Sequence, residues 1–161
     1  MSLPKLITLD DFYEDREGCI KRLYKFYLDE IVNAKLNFLG TPIHFKFKPP
    51  TNGMAFGFYH LISEGEKEEE YREINFERCQ RISWIPYVLK NSGDFSKIKC
   101  WKNIRGSSQH IVLWLHEHNY CVILAQRKEY FLLKTAYFID KSHRIRKLDK
   151  ESKTHRDPRK S

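Results

Sequence analysis

Apolar residues recur every three or four positions in the first third of the chain, which is the spacing of one face of an α-helix. The stripe falls within residues 10–37 and consists of Ile20, Leu23, Tyr24, Tyr27, Leu28, Ile31 and Val32. Gly40 and Pro42 follow it, and neither residue continues a helix. The pattern therefore predicts an N-terminal helix that ends before Gly40.

The hydrophobic period changes to two after this helix. Residues 43–48 place Ile43, Phe45 and Phe47 on alternate positions, which is typical of a half-buried strand. The turn-forming stretch 49–53 ends in an Asn-Gly pair and is followed by the apolar run 54–62. Because Asn-Gly between two such runs is a strong hairpin signal, we predict a β-hairpin here.

A second helix is predicted over residues 75–89, with Pro86 kinking or shortening it. The segment before it, residues 64–77, holds seven Glu and is interpreted as a solvated loop or a helix start. Strands are predicted at 98–104, 110–115, 120–126 and 130–139. Their short connections favour an antiparallel meander.

This order of elements predicts an α+β fold, because the strands cluster after the helices and do not alternate with them. We expect an N-terminal helix, a β-hairpin, a second helix and a meander of about four strands, with one sheet and helices on one of its faces. The chain of 161 residues suits one domain, placed at residues 1–148. Residues 149–161 are expected to form a basic, mobile tail.

The charge balance indicates the kind of partner that the chain binds, and not its fold. The chain has 29 Lys and Arg against 21 Asp and Glu, a formal net charge of +8. Residues 141–161 hold nine of the cations and three of the acids, so they account for six of those eight charges. A basic balance of this size favours a polyanionic partner, nucleic acid first and anionic membrane second.

Several classes of protein are disfavoured by missing motifs. The sequence has no Gly-rich phosphate loop, no nucleophile elbow and no CxxC pair, and His116-Glu117-His118 offers only two metal ligands. We therefore expect no metal and no cofactor. No apolar run is long enough to span a membrane, and no signal peptide is recognisable. The expected location is the cytoplasm, with reduced and mostly buried cysteines and no membrane partner.

Two stretches are richest in chemically active residues. His60 lies near the end of the predicted strand 54–62, where it is either a general acid or base or a hydrogen-bonded structural histidine. Along the last strand, Leu133, Thr135 and Tyr137 share one face. With Arg127 on the neighbouring strand they would form a polar platform for a phosphodiester, or else ordinary cross-strand packing.

Basic residues interleave with aromatic ones between these stretches, as in proteins that bind single-stranded RNA. The cations proposed to contact RNA are Arg72, Arg78, Arg105 and Lys134, and Arg81 borders the core so that it points at the sheet. For Trp84 a role as a core anchor is the favoured interpretation, and a solvated helix face is the alternative for Arg81.

Several motifs together resemble a known group of proteins. They are His60-Leu61-Ile62-Ser63-Glu64, Arg72, residues 77–84, residues 124–127 and the closing strand 130–137, which reads Tyr-Phe-Leu-Leu-Lys-Thr-Ala-Tyr. Across about residues 40–150 the chain resembles a family of phage- and plasmid-associated bacterial proteins. That family is similar to the barnase–EndoU–colicin–RelE-like ribonuclease superfamily.

The resemblance implies a helix packed on a four-stranded antiparallel sheet, with RNA on the open face of the sheet. It also implies RNA cleavage without a metal, through the ribose 2′-hydroxyl, leaving a cyclic phosphate. Carried onto this chain, the catalytic residues would be His60, Arg81, Arg127, Thr135 and Tyr137. Many members of the superfamily are toxins, so an antitoxin protein is an expected partner beside RNA. Two other functions stay open at this point: a non-enzymatic RNA- or DNA-binding module, and a toxin that transfers a group such as ADP-ribose from a nucleotide.

Overall fold

A computed structural model describes residues 2–65 and 72–160, with the backbone alone at Arg105. The helices are α1 Arg16–Tyr27, α2 Phe56–Ile62, α3 Phe76–Gln80, α4 Trp84–Lys90 and α5 Ser142–Thr154. The strands are β1 Asn37–Phe38, β2 Thr41–His44, β3 Ser63–Glu64, β4 Glu73–Ile74, β5 Ile98–Arg105, β6 Ser108–Leu115, β7 Tyr120–Gln126 and β8 Phe131–Phe138. The predicted α+β class is confirmed.

The main sheet contains six strands in the order β1-β2-β8-β7-β6-β5. Strands β5 to β8 form an antiparallel meander, but the expectation of one sheet of about four strands is not exact. Strand β2 adds in parallel with β8, β1 pairs with β2, and β3 and β4 form a separate two-stranded sheet. Gly106 and Asn119 adopt positive φ angles of 63° and 53° in the connections around β6. These left-handed residues permit the short turns that the sequence predicts.

The predicted hairpin is wrong in its second strand. The Asn52–Gly53 turn does form, and the backbone groups of Thr51 and Met54 pair across it. The chain then enters α2, whereas the sequence predicted a strand there. Most of α2 is buried on all sides, so its side chains show no amphipathic period that separates helix from strand. A hairpin occurs earlier instead, between β1 and β2.

The other predicted helices are shorter than expected. Helix α1 begins after Asp15, whose carboxylate accepts a hydrogen bond from the Gly18 amide at 3.0 Å. A π-helical turn at Leu28–Val32 continues it. The predicted helix 75–89 is divided into α3 and α4. Pro86 lies in the first turn of α4, where its missing N–H costs no helical hydrogen bond.

Side chains alternate across the sheet, and both of its faces are covered. On β6, Ile111, Leu113 and Leu115 join the main core with helices α1 to α4. Val112 and Trp114 point the other way, into a smaller cluster with Trp101 and Leu148. The expectation of helices on one face only is therefore incorrect, because α5 covers part of the second face.

The C-terminal residues form this second layer, whereas the sequence predicted a mobile tail. Helix α5 runs through the expected boundary at residue 148, and its Ile145 and Leu148 pack on the sheet. Beyond the helix, the Arg159 side chain is only 3% exposed; it pairs with Asp157 and donates to the Ser92 carbonyl at 2.8 Å. Two apolar residues three positions apart anchor the helix because they pack against an apolar sheet face that contains Trp101 and Trp114.

All four cysteines are free and buried, as predicted. Burial raises the pKa of the Cys79 thiol and of the Cys100 thiol to about 12. Within the described residues, no helix is both long enough and apolar enough to cross a membrane.

Replacing Leu148 with alanine tests whether α5 belongs to the folded domain. Leu148 is 8% exposed, and truncating a buried leucine costs about 2–5 kcal/mol. We expect a loss in the lower half of this range in urea denaturation, because the cluster is small. The exposed neighbour Lys147→Ala is the control and should change stability by less than about 0.5 kcal/mol. Equal, small effects of both substitutions would contradict the packing of α5.

Candidate active site

The main candidate site is a cleft of about 340 Å³ beside the outer edge of β8. Strand β2 pairs with β8 only at Phe131 and Leu132, and beyond that point α2 and α3 pack next to the strand. The polar side chains that line the cleft are Lys46, His60, Arg72, Arg78, His110, Lys134, Thr135 and Tyr137. We call this set of residues the basic cleft.

A β-bulge decides which β8 side chains reach the basic cleft. Leu133 pairs with Leu124, and Thr135 pairs with the adjacent Ile123, so Lys134 is an extra residue in the strand. The bulge turns Leu133 into the main core, away from the face that holds Thr135 and Tyr137. The sequence expectation that Leu133 shares their face is thus incorrect, whereas Thr135 and Tyr137 do share one.

The charge of the basic cleft is one-sided. It contains two lysines and two arginines, and no Asp or Glu among the described residues that line it. Partial burial of Lys134, with the positive charges of Arg127 and Lys46, lowers its pKa from the ordinary lysine value. Burial likewise lowers the pKa of Arg78, although Glu64 opposes this. Cations held near one another and partly out of water favour a bound anion.

Arg72 and Arg78 fix one wall of the basic cleft. Arg72 donates to the Ser63 hydroxyl at 2.9 Å, to the Ser63 carbonyl at 2.6 Å and to the Gly65 carbonyl at 2.8 Å. Arg78 donates to the carbonyls of Ser63 and His60. Three nitrogens of Arg72 are thus engaged with the chain. Arg72 was predicted to bind RNA. Its main role in the structure is to hold this wall of the cleft in place, and its charge adds to the positive charge of the cleft.

His60 reaches the basic cleft from α2, not from a strand. Its ring lies 4.6 Å from the Phe56 ring, and the Lys46 ammonium is 4.3 Å from the centre of that same ring. Gly57 allows this close approach: its amide donates to the Lys46 carbonyl at 2.8 Å, and a β-carbon there would lie 3.0 Å from that oxygen. The half-buried imidazole faces the cleft between two cation-bearing walls.

His110 is a second histidine in the basic cleft that the sequence analysis missed. It lies on β6 opposite Ala125 of β7, and its side chain is half-buried. The available signal was alternation: His110 occupies the same face of the predicted strand as Val112 and Trp114. The sequence does not reveal the strand pairing that brings this face next to α2.

Two of the predicted catalytic arginines do not line the basic cleft. Arg81 is buried, with its guanidinium carbon 3.9 Å from the centre of the Phe138 ring and its charge paired to Glu77. It therefore does point at the sheet, but it braces α3 against β8. Arg127 is exposed in a separate shallow depression, close enough for its charge to act on Lys134. Arg105, predicted to bind RNA, lies at the end of β5, and its side chain is outside the described part of the structure.

Other candidate features of the sequence have structural roles. His116 contacts the Ser96 carbonyl at 2.9 Å, and His118 packs against Trp84. Trp84 is 6% exposed and donates to the Pro4 carbonyl, which confirms it as a core anchor. In residues 2–65 and 72–160, no three His, Cys, Asp or Glu side chains are grouped to hold a metal ion. Of the acidic segment, residues 66–71 lie outside the described residues, and β3 pairs with β4 on either side of them.

A larger cavity of about 600 Å³ lies between α1 and the Asn52–Gly53 turn. Its walls are mostly apolar, with Ile20, Tyr24 and Met54 among them, and contain no histidine. Its charged lining residues are Arg16, Lys21 and Glu17, so it has a smaller excess of positive charge than the basic cleft.

Comparison with known proteins adds no relative: no family model, no curated protein and no solved structure matches the chain.

Sulfate binding tests the electrostatics of the basic cleft. A lysine is positive below its pKa, and the pKa of Lys134 lies below the ordinary value of 10.5. Sulfate affinity should therefore fall as the pH rises through this lowered range, while sulfate itself stays doubly charged. Lys134→Arg should keep its affinity, because arginine stays protonated. Calorimetric titrations of the wild type and of Lys134→Arg over this pH range measure both affinities. Identical pH profiles of the two proteins would contradict the assignment.

Proposed function

We propose that the protein is a metal-independent endoribonuclease that cleaves RNA by attack of a ribose 2′-hydroxyl on the adjacent phosphate. The observation that carries this proposal is the presence of two histidines, His60 and His110, in one cleft whose other charged groups, among the described residues, are all cations. Such a cleft combines a phosphate-binding field with groups that exchange protons near neutral pH.

The cations account for the phosphate. As the 2′-oxygen adds to phosphorus, negative charge grows on the non-bridging oxygens. Lys134 and Lys46 are exposed enough to contact these oxygens directly, while the half-buried Arg78 adds a fixed charge behind them. This positive charge performs the electrostatic part of the work that a metal ion performs in other nucleases.

The histidines account for the protons. One imidazole, in its neutral form, accepts the proton of the 2′-hydroxyl as the new oxygen–phosphorus bond forms. The other, in its imidazolium form, donates a proton to the departing 5′-oxygen as the old bond breaks. The products are a 2′,3′-cyclic phosphate and a free 5′-hydroxyl, and the number of protons is conserved. The reaction requires the 2′-hydroxyl, so RNA is the substrate and DNA is not.

Thr135 and Tyr137 complete the site. Both project from the same face of β8 into the cleft, and Tyr137 lies beside the Arg78 guanidinium at 5.8 Å. The Thr135 hydroxyl orients the phosphate by donating a hydrogen bond to one of its oxygens, whereas the Tyr137 hydroxyl is hydrogen-bonded to the buried Cys121 thiol and its ring lines the wall. Arg81 is left out of this mechanism because its guanidinium is occupied with Glu77 and Phe138. Arg127 contributes only its charge at the rim.

The biological part of the proposal, a toxin neutralised by an antitoxin protein, rests on the resemblance to the barnase–EndoU–colicin–RelE-like superfamily. The motif residues His60, Lys134, Thr135 and Tyr137 all line the basic cleft, which supports reading that resemblance as a shared site. Expression of the wild-type chain alone should then arrest growth, and expression of a cleft variant should not.

Histidine substitutions test the catalytic assignment. His60→Ala and His110→Ala should each lower the rate of RNA cleavage about 10²–10⁴-fold, the usual contribution of a general acid or base. The wild-type protein should cleave equally well in EDTA, and its rate should be bell-shaped in pH. His143→Ala, an exposed histidine on α5, is the matched control and should retain full activity. Cleavage is followed on single-stranded RNA, with the cyclic phosphate identified by mass spectrometry.

Two results would reject the assignment. The first is cleavage that EDTA abolishes and added divalent ions restore. The second is an RNA with one 2′-deoxynucleotide at the cleavage site that is cut as fast as the unmodified strand. If the wild-type protein binds RNA but leaves it intact, the chain is a non-enzymatic RNA-binding module, an alternative that the basic surface of α5 also favours.

A further inference from the structure

A second basic surface lies outside the cleft. It is a groove of about 580 Å³ between α5 and the ends of β5 and β6. The side chains that give it its character are Lys99, Trp114, His116, Arg146, Lys150 and Lys153. We call this surface the α5 groove.

The α5 groove has more positive charge than its own residues neutralise. Its single carboxylate, Asp149, is shared by Lys99 at 3.3 Å and Lys153 at 2.9 Å. Arg146 and Lys150 have no acidic partner within the described part of the chain. They lie one helical turn apart, about 5–6 Å along α5. Two cations at this spacing suit two successive negative charges on a ligand.

The α5 groove and the basic cleft lie on the same face of the sheet, on either side of the apolar cluster into which α5 packs. His110 of the cleft and Trp114 of the groove lie on the same face of β6, four residues and about 13 Å apart. Tyr137 and Ile123, which line the cleft, also pack in the apolar cluster beneath α5. Val112 lies between them on β6 and is buried in that cluster, so a strand that reaches both sites passes outside α5.

We propose that the α5 groove binds the phosphate backbone of single-stranded RNA, on the same strand whose cleaved linkage lies in the basic cleft. RNA is favoured over an acidic protein because Arg146 and Lys150 are spaced for successive phosphates, and because the cleft suited to phosphate lies on the same face of the sheet. The link to the cleaved linkage rests on the proposed function, but RNA binding by the groove is testable without it. Helix α5 is then a binding element, and it also shields the apolar sheet face.

A matched pair of double variants tests this proposal. Arg146→Gln with Lys150→Gln removes two charges from the groove, and Arg144→Gln with Lys147→Gln removes two charges from exposed positions of α5 outside it. The probe is a fully 2′-O-methylated single-stranded RNA, which cannot be cleaved, followed by fluorescence anisotropy at several salt concentrations. The groove variant should bind more weakly. Its plot of log affinity against log salt should be less steep by ~1.4, because each single-strand phosphate contact contributes about 0.7. The control variant should keep the wild-type slope.

Cleavage kinetics provide the second readout. The groove variant should raise KM for a long RNA and leave kcat unchanged. For a dinucleotide, which occupies only the cleft, kcat/KM should equal that of the wild type. Equal losses in both double variants would overturn the proposal, because net charge alone would then explain them. Weakened binding of polyglutamate with unchanged RNA binding would also overturn it, in favour of an acidic protein partner. If the wild-type chain cleaves no RNA, the proposed function fails, whereas the binding comparison still decides the role of the groove.

Discussion

Strand β8 is paired along its full length on one side and for only two residues on the other, and the candidate chemistry depends on this inequality. A strand edge without a neighbour must be covered, because its backbone groups and the apolar side chains beside it are otherwise open to water or to another chain. Here α2 and α3 occupy that position after β2 ends at His44. Since helices do not pair with a strand, they stay far enough from β8 to leave a cleft between them.

The bulge at Lys134 adds to this arrangement. One extra residue reverses the orientation of the side chains on either side of it, so Leu133 enters the core while Thr135 and Tyr137 face the cleft. The Arg72 and Arg78 side chains hold the opposite wall by donating to the carbonyls of Ser63 and Gly65. Both walls are thus fixed by backbone contacts. A site that exchanges protons with a phosphodiester benefits from such rigidity, because misplacement of an acid or base lowers the rate steeply.

The four strands of the meander were predictable because each is rich in apolar and aromatic residues and lies between turn residues such as Gly106 and Asn119. Helix α2 was not, because a nearly fully buried segment of seven residues carries no period. Helix α5 was missed for the opposite reason. Its composition is that of a solvated tail. Its two apolar residues stabilise the helix only because they pack against Trp101 and Trp114 on the sheet.

The candidate site divides in the same way. His60, Lys134, Thr135 and Tyr137 were identifiable because they belong to motifs and to residue types that suit phosphate chemistry. His110 and Lys46 were not, since their membership depends on long-range pairing. Arg81 was misplaced because local sequence cannot tell whether a guanidinium at the border of the core faces a ligand or stacks on an aromatic ring. Sequence-based reasoning thus found the chemical types in the cleft more reliably than their spatial grouping.

The four buried cysteines have a consequence for the handling of the chain. A thiol reacts with oxidants and alkylating agents as its thiolate, and burial keeps the pKa of Cys79 and Cys100 near 12, so almost no thiolate exists at neutral pH. Buried thiols of this kind react slowly with oxidants and alkylating agents while the protein is folded. Its thiols become reactive only when the core opens. The rate at which each cysteine is alkylated therefore measures how often the structure around that residue unfolds.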